Sequence, residues 1–286
     1  MKSETKPPQS LFKYVGASGV RILQTNTLKF TRPSLLNDPF EVRPFLKTIG
    51  GELDWAEQFK SQLPATLDKE FDKLPEQLRR VLSRETLLDQ LNTQKPLALE
   101  MMRQALKQLT PTMNAEFYRQ ADAMIGILSL TENQNHLLMW SHYADFHRGM
   151  VLEFDSTNEF FNRRRSINDE FYHLRQVVYS RRRPHVDLLR TDCLELFLTK
   201  SQDWEYEAEW RMMLPIKDCQ EVSTAVHVQG FPSECLKAVI FGANSSSDLR
   251  AEVRNTIQSN ASFSHVRVLF AKLHMHEYTL EFSEVE

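Results

Sequence analysis

The apolar spacing of this chain changes period twice, and no other feature of the sequence constrains the fold as much. At both ends of the chain apolar residues alternate or form short runs, as strands require. From about Gly51 to Ala123 they recur every three or four residues, in "DWAEQFKSQL", "LPEQLRRVLSRETLLDQLN" and "PLALEMMRQALKQL". That spacing is helical. Pro75, Pro96 and Pro111 fall where helices are expected to start. The pattern predicts about four helices inserted at 51–123 into a β-rich chain.

Strands are expected at 11–14, 27–31, 124–131, 149–155, 172–180, 203–214, 236–242, 265–273 and 277–282. Helices are expected at 16–24, 136–144, 185–199 and 246–259, and "RPSLLNDPFEVRPF" reads as a shaped, proline-punctuated loop. Regular βαβ alternation is missing, so the expected class is α+β rather than a doubly wound parallel sheet. The 286 residues suit one domain, 1–286, carrying the helical insertion.

A net charge of −3 excludes a global polycation but leaves room for a local basic groove. Three cysteines without metal spacing read as free thiols in a reducing compartment. The polar start "MKSETKPPQS" does not resemble a secretory signal, and no run approaches the roughly 20 apolar residues of a membrane span. A cytoplasmic protein without membrane contact is therefore expected. The sequence has no phosphate loop, no GxGxxG, no HExxH and no GxSxG. His274 and His276 could be two metal ligands, but strand-facing histidines on a wet edge are the plainer reading, and no metal site is expected.

"DWEYEAEWRM" (203–212) carries the densest chemistry. On a strand, Glu205, Glu207, Glu209 and Arg211 share one face, while Trp204, Tyr206, Ala208, Trp210 and Met212 point to a core. Carboxylates two residues apart repel and resist desolvation, so this face is either wet or a site, with Lys200 and Arg211 able to balance its charge. "LLNDPFE" (35–41) is a structural turn whose Asn37 caps backbone groups, or one that presents Asn37 or Glu41 into a cleft. In "MWSHY", Trp140 and Tyr143 are spaced for a helix core or for an aromatic wall, with Ser141 and Tyr143 donating hydrogen bonds. The arginines at 181–183 read as a solvated turn or a phosphate contact.

Taken in order, "LFKY", "LKFTRPSLLNDPFE", "LSLTENQNHLLMWSHYADFHRGMVLEFD", "VVYS" and "LTKSQDWEYEAEWRMM" resemble a bacterial domain-of-unknown-function family over about residues 11–242. The same layout is similar to ADP-ribosyltransferases, especially those of toxin–antitoxin systems that modify nucleic acid. That resemblance implies a split β-sheet core and NAD as substrate. It implies Glu209, with Glu207, as catalytic carboxylates, and Lys13, Tyr14, Arg32, Asn37, Ser141, Tyr143 and Arg211 as NAD contacts. Lys13-Tyr14 stands where that family usually carries Arg or His on its first strand. The implied activity is that of an intracellular toxin or phage-defence effector. Its acceptor is RNA, DNA or a protein, and an antitoxin is a possible partner. Two rivals remain: a metal-dependent nuclease or hydrolase using Asp38 and the Glu205/Glu207/Glu209 face, and a non-catalytic interaction module.

Overall fold

A computed structural model describes residues 5–43, 45–48, 68–80, 83–187 and 196–284. The chain divides into two compact units: one of 1–42, 120–183 and 197–286, the other of 43–119 and 184–196.

In chain order the elements are β1 (Ser10–Val15), α1 (Val20–Thr25), β2 (Thr27–Phe30), β3 (Phe45–Thr48), α2 (Glu76–Arg79), α3 (Arg84–Met124) and β4 (Ile125–Thr131). Then come α4 (Leu137–Tyr143), β5 (Met150–Asp155), β6 (Leu174–Gln176), β7 (Val178–Ser180), β8 (His185–Asp187), β9 (Thr199–Ser201) and β10 (Glu209–Pro215). Last are β11 (Gln220–Ser223), β12 (Val226–Gly230), β13 (Leu236–Phe241), α5 (Ser247–Ser259), β14 (Arg267–Leu273) and β15 (Leu280–Ser283). The class is mixed α+β around one large sheet.

That sheet has eight strands in the order β15-β14-β13-β5-β1-β4-β10-β6, antiparallel except for the β13–β14 pair. Leu128 and Leu130 of β4, Leu152 and Phe154 of β5 and Trp210 and Met212 of β10 pack on one face with α1 and α5. Helix α5 turns Leu249, Val253 and Ile257, four residues apart, into that core, and Ser246 caps its first turn. Phe12, Tyr14, Val151 and Ile240 form the other face, covered by Met139, Trp140 and Ala144 of the α4 region.

The sheet parts between β1 and β4. Whereas β1 pairs with β5 along all six of its residues, it meets β4 at one pair, Phe12 with Thr131. Farther along, β4 bonds instead to Thr31, just past β2, through reciprocal hydrogen bonds between Thr31 and Ile127. Strand β2 itself belongs to a three-stranded sheet with β12 and β11. A strand edge shared by two diverging partners leaves a gap at Ser129.

Three sequence expectations are corrected. Pro96 and Pro111 lie inside the 41-residue α3 instead of opening new helices; only Pro75 precedes one, α2. Each interior proline removes one backbone donor, but the periodic sequence on both sides carries the helix through it. The helix expected at 185–199 is absent at both ends: 185–187 forms β8, parallel to β3, and 199–201 forms β9, parallel to β7. Residues 188–195 of that expectation, and 51–67 of the insertion, lie outside the described residues. The strand expected over 203–214 begins only at Glu209, because 202–207 winds into a 3-10 helix and Ala208 turns left-handed at φ 41°, ψ 54°. Among the described residues no helix is long and apolar enough to cross a membrane.

Gly149 fixes how the segment after α4 returns to the sheet. A Cβ there would lie 2.1 Å from the Val15 carbonyl oxygen. Gly149→Ala is expected to cost at least the roughly 1–3 kcal/mol of an overpacked core, read as a lower urea midpoint with unchanged slope; a midpoint equal to that of the parent would show that this packing yields freely.

Candidate functional site

A cleft of about 240 Å³ opens at the gap between β1 and β4. Lys13, Tyr14, Asn37, Glu41, Ser129, Tyr143, Lys200, Glu207 and Glu209 supply its polar lining, with Phe12, Leu36 and Met139 among the apolar groups.

The glutamates reach it by a local device. Ala208 in the left-handed region breaks the strand between Glu207 and Glu209, at a cost of roughly 1–2 kcal/mol for a residue with a Cβ. Neighbouring bonds hold it there: the Thr131 hydroxyl donates to the Glu207 carbonyl, Glu132 N to the Ala208 carbonyl, and Glu209 N to the Tyr179 hydroxyl. Both glutamate side chains end buried, 3% and 4% exposed. Glu205 ends exposed on the 3-10 helix. The expected row of three glutamates is thus two, and Trp204 and Tyr206 are only half-buried.

Charges in the floor are matched closely. Lys200 Nζ lies 2.5 Å from Glu207 Oε2, 3.1 Å from Glu209 Oε2 and 3.9 Å from Glu41 Oε2. It also sits 5.0 Å above the Trp204 ring. Arg211, 1% exposed, clasps Glu209 through Nε and a terminal nitrogen at 2.7 and 2.8 Å. Its other contacts are Glu41 and the Phe197 carbonyl, the latter at 2.7 Å. Three carboxylates thus meet two cations, and Lys13 of the same lining, within electrostatic reach of Glu209, supplies a third. Burial opposes the Lys200 charge, yet Glu209 and Glu207 outweigh it and hold the ammonium above its usual range. Burial pushes the Glu209 carboxyl up, against Lys200 and Ser129.

Toward the mouth, the Tyr143 hydroxyl donates to Glu207 Oε1 and accepts from Asn37 Nδ2 at 2.7 Å. Burial, then the bond to Glu207, keeps that phenol protonated well above its ordinary range. Trp140 anchors α4: it is fully buried, edge-on to Tyr14 with centroids 5.3 Å apart, and its ring N–H donates to the Gln134 carbonyl. Tyr143, three residues on, is free to face the cleft. Tyr14 donates to the Asn133 carbonyl at 2.9 Å. Lys13 donates across the gap to the Ser129 carbonyl at 3.2 Å, and burial lowers its amine to about 8.

The structure brings together Lys13, Tyr14, Asn37, Tyr143, Glu207 and Glu209, with Arg211 directly behind Glu209. It does not bring Arg32 or Ser141 into the lining. The Arg32 guanidinium lies 3.2 Å from His227 Nε2, and the Ser141 hydroxyl donates to the Leu137 carbonyl. In the Asn-Asp-Pro turn it is Asp38, not the expected Asn37, that caps the backbone, by accepting from Phe40 N, while Asn37 and Glu41 face the cleft. Ser129, Thr131 and Tyr179 carry no sequence signal, since each works through a tertiary contact. Among the described residues no group of three or more His, Cys, Asp or Glu is placed to hold a metal ion. His274 Nδ1 is taken up by the backbone N–H groups of His276 and Glu277.

Residues 139–212 match the model of a family described as a protein of unknown function, DUF2971. The matched stretch runs from α4 to β10 and so includes Tyr143, Lys200, Glu207, Glu209 and Arg211. No curated protein and no solved structure matches the chain.

Replacing Arg211 by Met would leave Glu41 and Glu209 buried without their guanidinium. A loss of about 3–5 kcal/mol is expected in urea unfolding, far above that of an exposed pair; a loss below 1 kcal/mol would mean that water or Lys200 takes over. Lys13 gives a second test. With its amine lowered to about 8 it is about half neutral at pH 8, where an ordinary lysine near 10.4 is well under 1% neutral. In limited acylation followed by peptide mass spectrometry, Lys13 is expected to be modified ahead of the exposed lysines; modification in order of exposure alone would contradict this.

Proposed function

We propose that the chain is an NAD-dependent ADP-ribosyltransferase whose catalytic carboxylates are Glu209 and Glu207. The observation that carries this reading is the pair of buried carboxylates, Glu207 and Glu209, held by cations at the floor of a cleft walled by Tyr14, Tyr143 and Asn37. Cleaving the bond between nicotinamide and ribose sends the bonding pair to the departing ring and leaves an oxocarbenium-like cation on the ribose. Carboxylates fixed in advance, in a site that excludes most water, stabilise such a cation without reorganising. Tyr143 and Lys200 orient Glu207 to accept from a ribose hydroxyl, and Arg211 and Lys200 hold Glu209 in place. The side chains of Tyr14 and Tyr143 offer rings against the nicotinamide, and Lys13 offers a cation to the pyrophosphate. A volume of about 240 Å³ is below the roughly 300–1,000 Å³ of sites that enclose a drug-sized ligand, so the adenylate half would lie outside the cleft. The parting of β1 from β4 accords with the split core of that enzyme class.

The reading includes action inside the cell as a toxin or defence effector, on RNA, DNA or a protein. It also includes an antitoxin partner, for which the helical segment near 51–123 is a candidate surface. The rival metal-dependent nuclease is less well supported, because Glu205 is exposed and the Lys200 ammonium lies between the glutamates where a metal ion would be held.

Purified protein incubated in a cell lysate with NAD labelled in its adenylate half is expected to release nicotinamide and transfer label. Glu209→Gln is expected to lower both by at least about 100-fold, the scale of removing one transition-state electrostatic partner. Failure to turn over NAD with any lysate fraction, together with EDTA-sensitive cleavage of nucleic acid, would overturn the proposal in favour of its rival.

A further inference from the structure

The nature of the acceptor is addressed by a basic segment beside the cleft. Residues 163–183 hold seven arginines against two acids, Asp169 and Glu170, a surplus of five positive charges in a chain whose net charge is −3. Both acids are engaged, by Arg165 and Arg175, and the 3-10 helix beside the arginine turn adds two exposed acids, Asp203 and Glu205. The three arginines that close the segment, Arg181, Arg182 and Arg183, are exposed.

This arginine turn is tied to both walls of the cleft. Arg181 Nε donates to Gln202 Oε1 at 2.8 Å, and Gln202 opens the 3-10 helix that ends at Glu207. The Arg183 guanidinium lies over the Phe40 ring, 5.6 Å from its centroid, and Phe40 immediately precedes Glu41 of the cleft wall. The turn follows β7, where Tyr179 is in register with Lys200 and accepts from Glu209 N. Phe40 itself is 61% exposed, a large ring on the surface with the Arg183 guanidinium over it.

Guanidinium forks suit phosphate oxygens, and an exposed ring beside them suits a base that is not stacked on its neighbours. A duplex keeps its bases stacked and would leave the ring unused, and an acidic protein surface would meet the charges alone. We propose that Phe40 and the Arg181–Arg183 turn dock single-stranded nucleic acid, delivering an unpaired base to the Glu207–Glu209 cleft. As the acceptor's docking strip, this assignment rests on the transferase reading; as a binding surface it stands alone.

Binding is tested on the full chain without NAD, by fluorescence anisotropy with labelled single strands of RNA and of DNA of about 12 nucleotides, within the usual span of a single-strand site. The matching duplex and a poly-glutamate peptide serve as competitors. Over about 50–200 mM salt the single strands are expected to bind with a salt slope to which three phosphate contacts contribute about 2. Changing all three arginines to Gln is expected to remove that share of the slope and weaken binding at least tenfold. Phe40→Ala is expected to weaken it about tenfold with the slope kept. Arg182→Gln, with an unchanged melting temperature, is expected to remove about one third of the slope change and so guards against misfolding of the triple variant. The tighter of the RNA and DNA strands identifies the acceptor. No binding of single strands, equal competition by duplex or poly-glutamate, or unchanged binding by the triple and Phe40 variants would overturn the proposal. Binding as expected without NAD turnover would sink the transferase reading and leave the docking surface; turnover without binding would do the reverse.

Discussion

The buried Arg211 guanidinium is the contact on which the site depends. An uncompensated charge at that depth would cost several kcal/mol, so its partners have to be in place whenever the protein is folded. Those partners come from three stretches, one of them far off in sequence: Glu41 after the Asn-Asp-Pro turn, Glu209 at the start of β10, and the Phe197 carbonyl ahead of β9. Lys200, three residues after Phe197, joins Glu209 to Glu207, and Glu207 joins Tyr143 of α4. One cation thus sets the relative positions of a loop, two strands and, through the second cation, a helix. Buried ionic groups of this kind contribute little net stability compared with an apolar core, so their presence is better explained by the geometry they impose.

The second constraint is the sharing of β4 between two partners. Had β1 followed β4 along its length, backbone bonds would have closed the edge at Ser129 and left no space for a ligand. Because β1 leaves after one residue pair and Thr31 takes up the edge at Ile127, the Ser129 carbonyl between them accepts from the Lys13 amine at the cleft. Glu207 and Glu209 then face a space whose opposite wall carries Tyr14. Negative charge and aromatic surface converge there because the sheet fails to close.

How far the sequence could be read follows from the range of the forces involved. Alternation places Trp210 and Met212 in the core and Glu209 and Arg211 on the opposite face, and the structure agrees, since side-chain direction on a strand is local. Four residues upstream the same alternation misleads. Ala208 adopts a left-handed conformation that alanine does not favour, and it is held by Thr131, Glu132 and Tyr179, which only the folded sheet supplies. The short elements at 185–187 and 199–201 escape notice for a related reason. Strands of three residues carry too little pattern to compete with a helical reading, and their partners β3 and β7 lie well apart from them in sequence. Pro96 and Pro111 show the opposite case, in which a strong local breaker is overruled by the periodic helix around it.

By itself the sequence determined the α+β class, the long helical stretch, the core face of β10 and the residue types from which a site could be made. Those are consequences of side-chain periodicity and of which groups tolerate burial. Tertiary structure decided which of the acids belong together. Glu205 was sent to solvent and Glu41 brought in, Lys200 was set between the glutamates, and Arg32 and Ser141 were given other partners. The reason is physical: a buried charge is stabilised by whatever opposite charge lies within a few ångströms, and which groups lie that close depends on strand pairings that no local pattern encodes.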